Sequence, residues 1–362
     1  MVYNIAVLLK IIRIYFLITM VFISRLPSPT KLKNLFPLTS ELKQIKKKND
    51  KNIASILEGK SKKLLLIIGP CSADRKDSVL YYMKRLRAVQ EKVSTKIVIV
   101  PRLYTGKPRT HGNGYKGMLH NPDPIGPSDL IRGLAASRDL HLSVLRETGF
   151  SCADELLYPA NYDYLDDLLS YVAIGARSSE NQEHRMIASG VEVPVGMKNP
   201  ANGDLGAMLN SVNAARMSHT FIYRDTEVRS SGNRLAHGVL RGYTDCNGIS
   251  HSNCDYGSLV RLYGLLPQYG LDGMPVIIDT NHDNSGKDYL KQIEIAENVV
   301  RYRNKSEEIK SMVRGLMIES YIKDGSQPVG GEEYGMSITD PCLGWEKTEK
   351  LIFSIADILR EQ

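Results

Sequence analysis

Cysteine is scarce and irregularly placed. The five, Cys71, Cys152, Cys246, Cys254 and Cys342, are an odd number without regular spacing in a chain of 362 residues. This excludes the disulfide framework of a small secreted domain. It points to a reducing compartment, and a cytoplasmic location is expected. A long uncharged apolar run is also missing. The stretch at 4–24 is strongly apolar, but Lys10 and Arg13 interrupt it. The uncharged part from Tyr15 to Ser24 is shorter than the roughly 20 apolar residues that a bilayer span needs. No small-residue cleavage site follows, because Ser24 runs into Arg25-Leu26-Pro27. Two readings of residues 1–24 stay open. They are a membrane anchor, or an apolar extension ahead of an alternative start at Met20 with no folded role. No internal repeat and no low-complexity tract is found, so the chain reads as one globular body.

Excess basic charge is missing from most of the chain. The net charge is +7, but residues 1–63 hold 13 Lys or Arg against 3 Asp or Glu. The remaining residues hold 47 − 13 = 34 basic and 40 − 3 = 37 acidic side chains. The basicity therefore belongs to an N-terminal arm, and no nucleic-acid partner is expected. A hydrophobic content of 42% is ample for one large core. The division expected is an apolar extension at 1–24, a basic arm and helix at 25–63, and a catalytic body at 64–362.

What the chain does have is a pattern repeated eight times. A short apolar run ends in a charged or metal-binding residue. LLLIIG leads to Cys71, KIVIVP to Arg102, SCAD to Glu155 and YVAIGA to Arg177. VPVGM leads to Lys198, HGVL to Arg241, PVIIDTN to His282 and GLMI to Glu319. Eight buried strands that each deliver a reactive side chain at the C-terminal end predict an α/β fold, a (β/α)8 TIM barrel with its site at that mouth. An open doubly wound sheet is the alternative, but it gives no reason for eight units in series.

The elements follow from hydrophobic period and punctuation. Ser40 reads as the N-cap of a helix to about Leu57, with Gly59 as its stop, ahead of the first strand. Its Ile45, Ile53, Ile56 and Leu57 call for a partner surface, either the barrel or a neighbouring subunit. Barrel strands are expected near 64–68, 97–101, 152–154, 172–176, 193–197, 237–240, 276–279 and 316–318. Helices are expected at 77–93, 128–148, 162–170, 180–189, 204–217, 256–269, 287–303 and from Trp345 onward. The stretch 219–228 reads as a β-hairpin inserted before strand six. The Gly-, Pro- and Asn-rich loop at 106–127 is long enough to be functional.

Two constellations carry the chemistry. Cys71, His282, Glu319 and Asp340 fall at separate strand ends or following loops. A thiolate, an imidazole and two carboxylates suit one divalent ion such as Mn, Fe, Co or Zn without choosing among them. Arg102, Lys107, Arg109, Arg177, Lys198 and Arg241 would repel one another at one mouth unless anions fill it. Six cations suit two phosphorylated substrates, one of which also carries a carboxylate.

The motifs GPCSAD (69–74), KPRT (107–110), GARSSENQEHR (175–185) and PVGMKNP (194–200) are long and ordered. LRG (240–242), DTNHDNSGK (279–287), MIES (317–320) and SITDPCLGWE (337–346) follow. From about residue 25 to the end, the chain resembles the class I 3-deoxy-D-arabino-heptulosonate 7-phosphate (DAHP) synthases. The resemblance implies condensation of phosphoenolpyruvate with erythrose 4-phosphate and water, the first committed step toward the aromatic amino acids. It implies a metal held by Cys71, His282, Glu319 and Asp340. It matches Arg102, Lys107, Arg177, Lys198 and Arg241 to phosphoenolpyruvate, and Arg109 and Thr110 to erythrose 4-phosphate. Glu155 falls where the family has a carboxylate near the attacking water. Glu155, Lys107 and His282 are thus the catalytic candidates. A homo-oligomer is implied as well.

The chain departs from the family in two places. KPRTHGNGYKG has one residue more than the usual spacing and Tyr115 for a Trp, which puts the erythrose 4-phosphate contacts in doubt. PANYDYL at 159–165 also differs, leaving the effector open: phenylalanine, tyrosine, another, or none. Three alternatives compete with this reading. They are a synthase that takes arabinose 5-phosphate, an inactive effector-binding paralogue, and a membrane-anchored protein that rests on residues 1–24 alone.

Overall fold

The computed structural model describes residues 20–109 and 112–360. The expectations on residues 1–19 and on Thr110 lie outside them. Among the described residues no helix is long and apolar enough to cross a membrane.

Among the described residues two helices precede the barrel. They are α1 (Pro29–Leu35) and α2 (Ser40–Leu57). Thr39, not Ser40, is the N-cap of α2: its hydroxyl accepts from the Leu42 N–H. The barrel then begins with β1 (Leu64–Gly69), α3 (Lys76–Val93), β2 (Ile97–Pro101), α4 (Leu130–Thr148), β3 (Ala153–Glu155) and β4 (Tyr171–Ile174). It continues through α5 (Gln182–Ala188), β5 (Val195–Lys198) and α6 (Leu205–Arg216). Next come the inserted hairpin of β6 (Thr220–Tyr223) and β7 (Thr226–Arg229), β8 (His237–Leu240), and a small ribbon of β9 (Tyr243–Thr244) and β10 (Ser250–His251). The chain ends with α7 (Tyr256–Leu265), β11 (Val276–Asp279), α8 (Lys291–Lys305), α9 (Glu307–Met312), β12 (Val313–Glu319) and α10 (Trp345–Ile358).

Eight strands form one parallel sheet in the order β2-β1-β12-β11-β8-β5-β4-β3. The circle closes between β2 and β3 through a single bridge, Arg102 with Ala153, where the Leu103 N–H donates to the Ala153 carbonyl at 3.0 Å. The predicted barrel is therefore present, and that seam is its least paired junction.

The interior packs large side chains against absences. Tyr104 and Tyr171 lie inside the barrel with Val239, Ile277 and Met317. A Cβ at Gly196 would meet the Tyr171 hydroxyl at 2.1 Å, and one at Gly315 would meet the Leu65 carbonyl oxygen at 2.4 Å. These glycines are there for room. Ile53, Ile56 and Leu57 of α2 join the same cluster and close the end from which the strands start. Barrel surface thus answers the demand of the α2 apolar face. A second, larger core lies between the strands and the outer helices.

Three helix expectations need correction. The helix expected near 162–170 is a short 3-10 helix, Pro159–Tyr164, because Pro159 opens a tight turn. The helix expected at 256–269 ends at Leu265, where Pro267 forces a 3-10 turn. The helix expected from Lys287 begins at Lys291, since Lys287 has φ +64° and cannot sit in a right-handed helix. The ribbon β9–β10, α1 and α9 were not expected at all. The hairpin turn at Arg224 and Asp225 has positive φ at both central residues, which matches the twist of a two-residue hairpin.

His237 is fully buried, with Nε2 at 2.8 Å from the Tyr171 hydroxyl and Nδ1 at 2.8 Å from the Leu235 carbonyl. Burial pushes its pKa down to about 4. The unfolded chain binds this proton near pH 6.5, and the folded one does not. Stability from this group is thus full above about pH 6.5 and falls by about 3 kcal/mol as pH drops toward 4. Urea unfolding across that range should show the loss, and His237→Asn should remove that part of it. An identical pH slope in the variant would refute the assignment.

Candidate active site

The C-terminal ends of the barrel strands converge on one cavity of about 380 Å³. Its lining includes Arg102, Lys107, Arg109, Glu155, Arg177, Lys198, Arg241, His282, Glu319 and Asp340. All six candidate cations line this one cavity; the other expected sugar-phosphate contact, Thr110, is not among the described residues. Lys287 lines it too and was not anticipated. Seven Lys or Arg side chains therefore face three carboxylates across the space.

At the floor, the Cys71 Sγ and carboxylate oxygens of Glu319 and Asp340 all lie within 4.8 Å of one another. His282 does not join this group of three. Its Nδ1 lies 2.9 Å from Asp279 Oδ2, and it borders the same cavity. The ammonium of Lys107 bridges the group, 2.8 Å from Cys71 Sγ and 2.7 Å from Asp340 Oδ2. A positive charge thus already stands among these donors. The Cys71 thiol is buried, which pushes its pKa up to about 12, with the charge of Glu319 acting in the same direction. Burial also works against the Asp340 carboxylate, but Lys107 overrides it and holds the group below the usual carboxylate range. Sulfur, carboxylates and a nearby imidazole are a donor set that fits a divalent transition ion.

Arg102 is 1% exposed. One guanidinium nitrogen donates to Glu319 Oε1 at 3.1 Å and to the Cys71 carbonyl at 3.3 Å. The guanidinium stacks on Tyr104, 3.8 Å from the ring centroid. Its Nε and other terminal nitrogen are buried without a partner. Unsatisfied buried donors on a cation are costly.

The segment 279–287 organises its neighbours. The Lys198 Nζ donates to Asp279 Oδ2 at 2.8 Å. Arg241 donates to Asp283. Asn281 Nδ2 donates to Glu319 Oε2 at 2.7 Å. One turn therefore supplies partners to β5, β8 and β12. Burial opposes the charge on Asp279, but His282 and Lys198 prevail and hold it well below the usual range. The DTNHDNSGK motif was noticed as a string. The supporting roles of Asp279, Asn281 and Asp283 were not, because they depend on which strands stand beside β11.

Residues 41–352 match the model of the DAHP synthetase I family. This chain belongs to the DAHP synthetase I family. It is 35% identical over 346 residues to "Phospho-2-dehydro-3-deoxyheptonate aldolase, Tyr-sensitive" of Escherichia coli (strain K12), spanning 93% of this chain and 94% of that protein. It is 36% identical over 344 residues to the "Trp-sensitive" protein of Shigella flexneri, spanning 92% and 95%. A solved structure of phospho-2-dehydro-3-deoxyheptonate aldolase from Francisella tularensis SCHU S4 superimposes with a TM-score of 0.87 at 29% identity. It covers 94% of this chain and 99% of the other. As a DAHP synthetase I family member, the chain is an enzyme. The family match starts within α2, so the helix that closes the barrel base lies almost wholly inside it, whereas α1 precedes it.

Asp279→Asn removes the charge behind Lys198 and leaves a buried ammonium uncompensated. A loss of about 3–5 kcal/mol is expected in urea unfolding at neutral pH. A loss below about 1 kcal/mol would mean that Lys198 finds its balance elsewhere.

Proposed function

We propose that this chain condenses phosphoenolpyruvate with D-erythrose 4-phosphate and water to give 3-deoxy-D-arabino-heptulosonate 7-phosphate and phosphate. It does so as a cytoplasmic homo-oligomer with one divalent ion, Mn, Fe, Co or Zn. The observation that carries this reading is Arg102: a buried guanidinium with two unsatisfied nitrogens, set among six further Lys and Arg side chains beside a Cys, Glu and Asp cluster.

Arg102, Arg177, Lys198 and Arg241 hold the phosphate and carboxylate of phosphoenolpyruvate, and Lys107 adds to this grip. Arg109 and Thr110 hold the phosphate of the sugar. Fixing both ends brings C3 of phosphoenolpyruvate against the aldehyde carbon. A carbon–carbon bond forms between them, and the aldehyde oxygen takes a proton, for which Lys107 is the donor within the cavity. Water then adds to the electron-poor C2, with Glu155 taking one of its protons; the C2–oxygen bond to phosphate breaks as the new hydroxyl gives up its other proton to form the C2 ketone, and phosphate leaves with the electron pair and that proton. Cys71, His282, Glu319 and Asp340 would hold the ion, which when bound supplies Lewis-acid polarisation of the aldehyde oxygen. Cys71 must lose its proton for this, so ion uptake releases protons. The relatives named Tyr-sensitive and Trp-sensitive support an aromatic amino acid as the effector class.

Turnover with erythrose 4-phosphate and not arabinose 5-phosphate, lost on chelation and restored by one of the four ions, is the expected result. Preference for the five-carbon sugar, or full turnover after chelation, would overturn it. Arg102→Lys keeps the charge but loses the fork. It should raise the KM for phosphoenolpyruvate by about tenfold or more.

A further inference from the structure

The weak seam between β2 and β3 is bridged by a side chain, and this bridge lies directly beneath the loop that carries Lys107 and Arg109. Asp154 is 3% exposed. Its Oδ1 accepts from the Thr105 N–H at 2.9 Å and from the Glu155 N–H at 2.7 Å. Its Oδ2 accepts from the Thr105 hydroxyl at 2.6 Å and lies 3.1 Å from His141 Nε2. His141 is itself buried, and its Nδ1 has no partner. His141 Nε2–H is therefore the donor to Asp154, because a carboxylate only accepts. Beyond the Arg102–Ala153 bridge the backbones of β2 and β3 no longer pair, and this carboxylate does the joining.

Thr105 is also the root of the loop above. The Leu119 N–H donates to the Thr105 carbonyl at 3.0 Å, and the Lys107 N–H donates to the Lys116 carbonyl at 3.0 Å. Lys107 stands two residues after Thr105, and Glu155 follows Asp154 directly. One buried carboxylate thus fixes both the outgoing loop and the β3 end.

We propose that Asp154, acting through Thr105 and held by His141, is a positioning residue that sets Lys107 and Arg109 against Glu155 across the barrel seam. This rests on the functional reading above, in which Lys107 and Glu155 handle protons. It adds that their separation is fixed by a side chain and not by the sheet.

The test uses the full-length enzyme and two variants. Thr105→Val keeps the side-chain shape and the backbone bond to Asp154 Oδ1 but loses the hydroxyl bond to Oδ2. Asp154→Asn keeps an acceptor for the two backbone donors. In Thr105→Val, kcat should fall by about tenfold or the KM for the sugar phosphate rise by a similar factor. The melting temperature should shift by only a few degrees, and amide hydrogen exchange should accelerate across 103–109 and 112–119. Asp154→Asn should show a loss at least as large as Thr105→Val, because its amide nitrogen replaces the acceptor of both the Thr105 hydroxyl and His141 Nε2. Unchanged kinetics and loop exchange, with only a lowered melting temperature in either variant, would make Asp154 a purely structural residue and overturn the proposal. Wild-type enzyme inert toward both substrates, with loop exchange still faster in the variants, would sink the functional reading and leave the positioning role standing.

Discussion

Much of this molecule follows from one buried charge that cannot be given up. The Arg102 guanidinium is fixed as a cation at any accessible pH, and it sits at the closing point of the barrel with almost no solvent. Glu319, two strands away, balances it. That pairing orients one carboxylate of the Cys71, Glu319 and Asp340 group, while Asn281 fixes the other oxygen of the same carboxylate. The remaining guanidinium nitrogens have no partner among the described residues. A metal-ligand candidate and an anion-binding candidate are therefore the two sides of a single ion pair, and moving either would disturb both.

The charge pattern around the mouth extends this. Lys198 and Arg241 face the cavity, yet Lys198 is backed by Asp279 at the end of β11 and Arg241 by Asp283 in the turn that follows. Without those partners, seven cations around a space of about 380 Å³ would resist folding. With them, each cation is oriented and only partly neutralised, so net attraction for a dianion survives. Anions that bind the folded mouth and not the unfolded chain add stability by mass action. An arrangement costly in isolation becomes favourable when the site is filled, as expected where function sets the residues.

The barrel was legible in the sequence because parallel strands buried on both faces read as continuous apolar runs. The ends of β2, β8 and β11 coincide with those runs at Ile97–Pro101, His237–Leu240 and Val276–Asp279. Arg102, Glu155, Arg177, Lys198, Arg241, His282 and Glu319 of the cavity lining were legible for the same reason, since each follows such a run. What was not legible depended on local backbone sign or on tertiary neighbours. The left-handed φ of Lys287 leaves no mark in hydrophobic periodicity, and so the start of α8 was misplaced. Pro159 and Pro267 turned expected helices into 3-10 turns. Asp154, Asp279 and Asn281 looked like ordinary polar residues at strand ends, because their partners lie on other strands.

The place where backbone pairing is poorest is also the place where the longest loop over the mouth departs. A complete ladder between β2 and β3 would fix the chain to the strand twist through residue 105 and beyond. A single bridge followed by a carboxylate lets the chain turn away from the sheet at once. It then runs through Lys107 to the floor, where that ammonium meets Cys71 and Asp340. A regular barrel would carry the same residues up and outward along the strand axis. The irregular seam brings a side chain of the loop after β2 to the residues that follow β1 and β12, so a break in the fold's symmetry is what allows these donors and this cation to meet at one point.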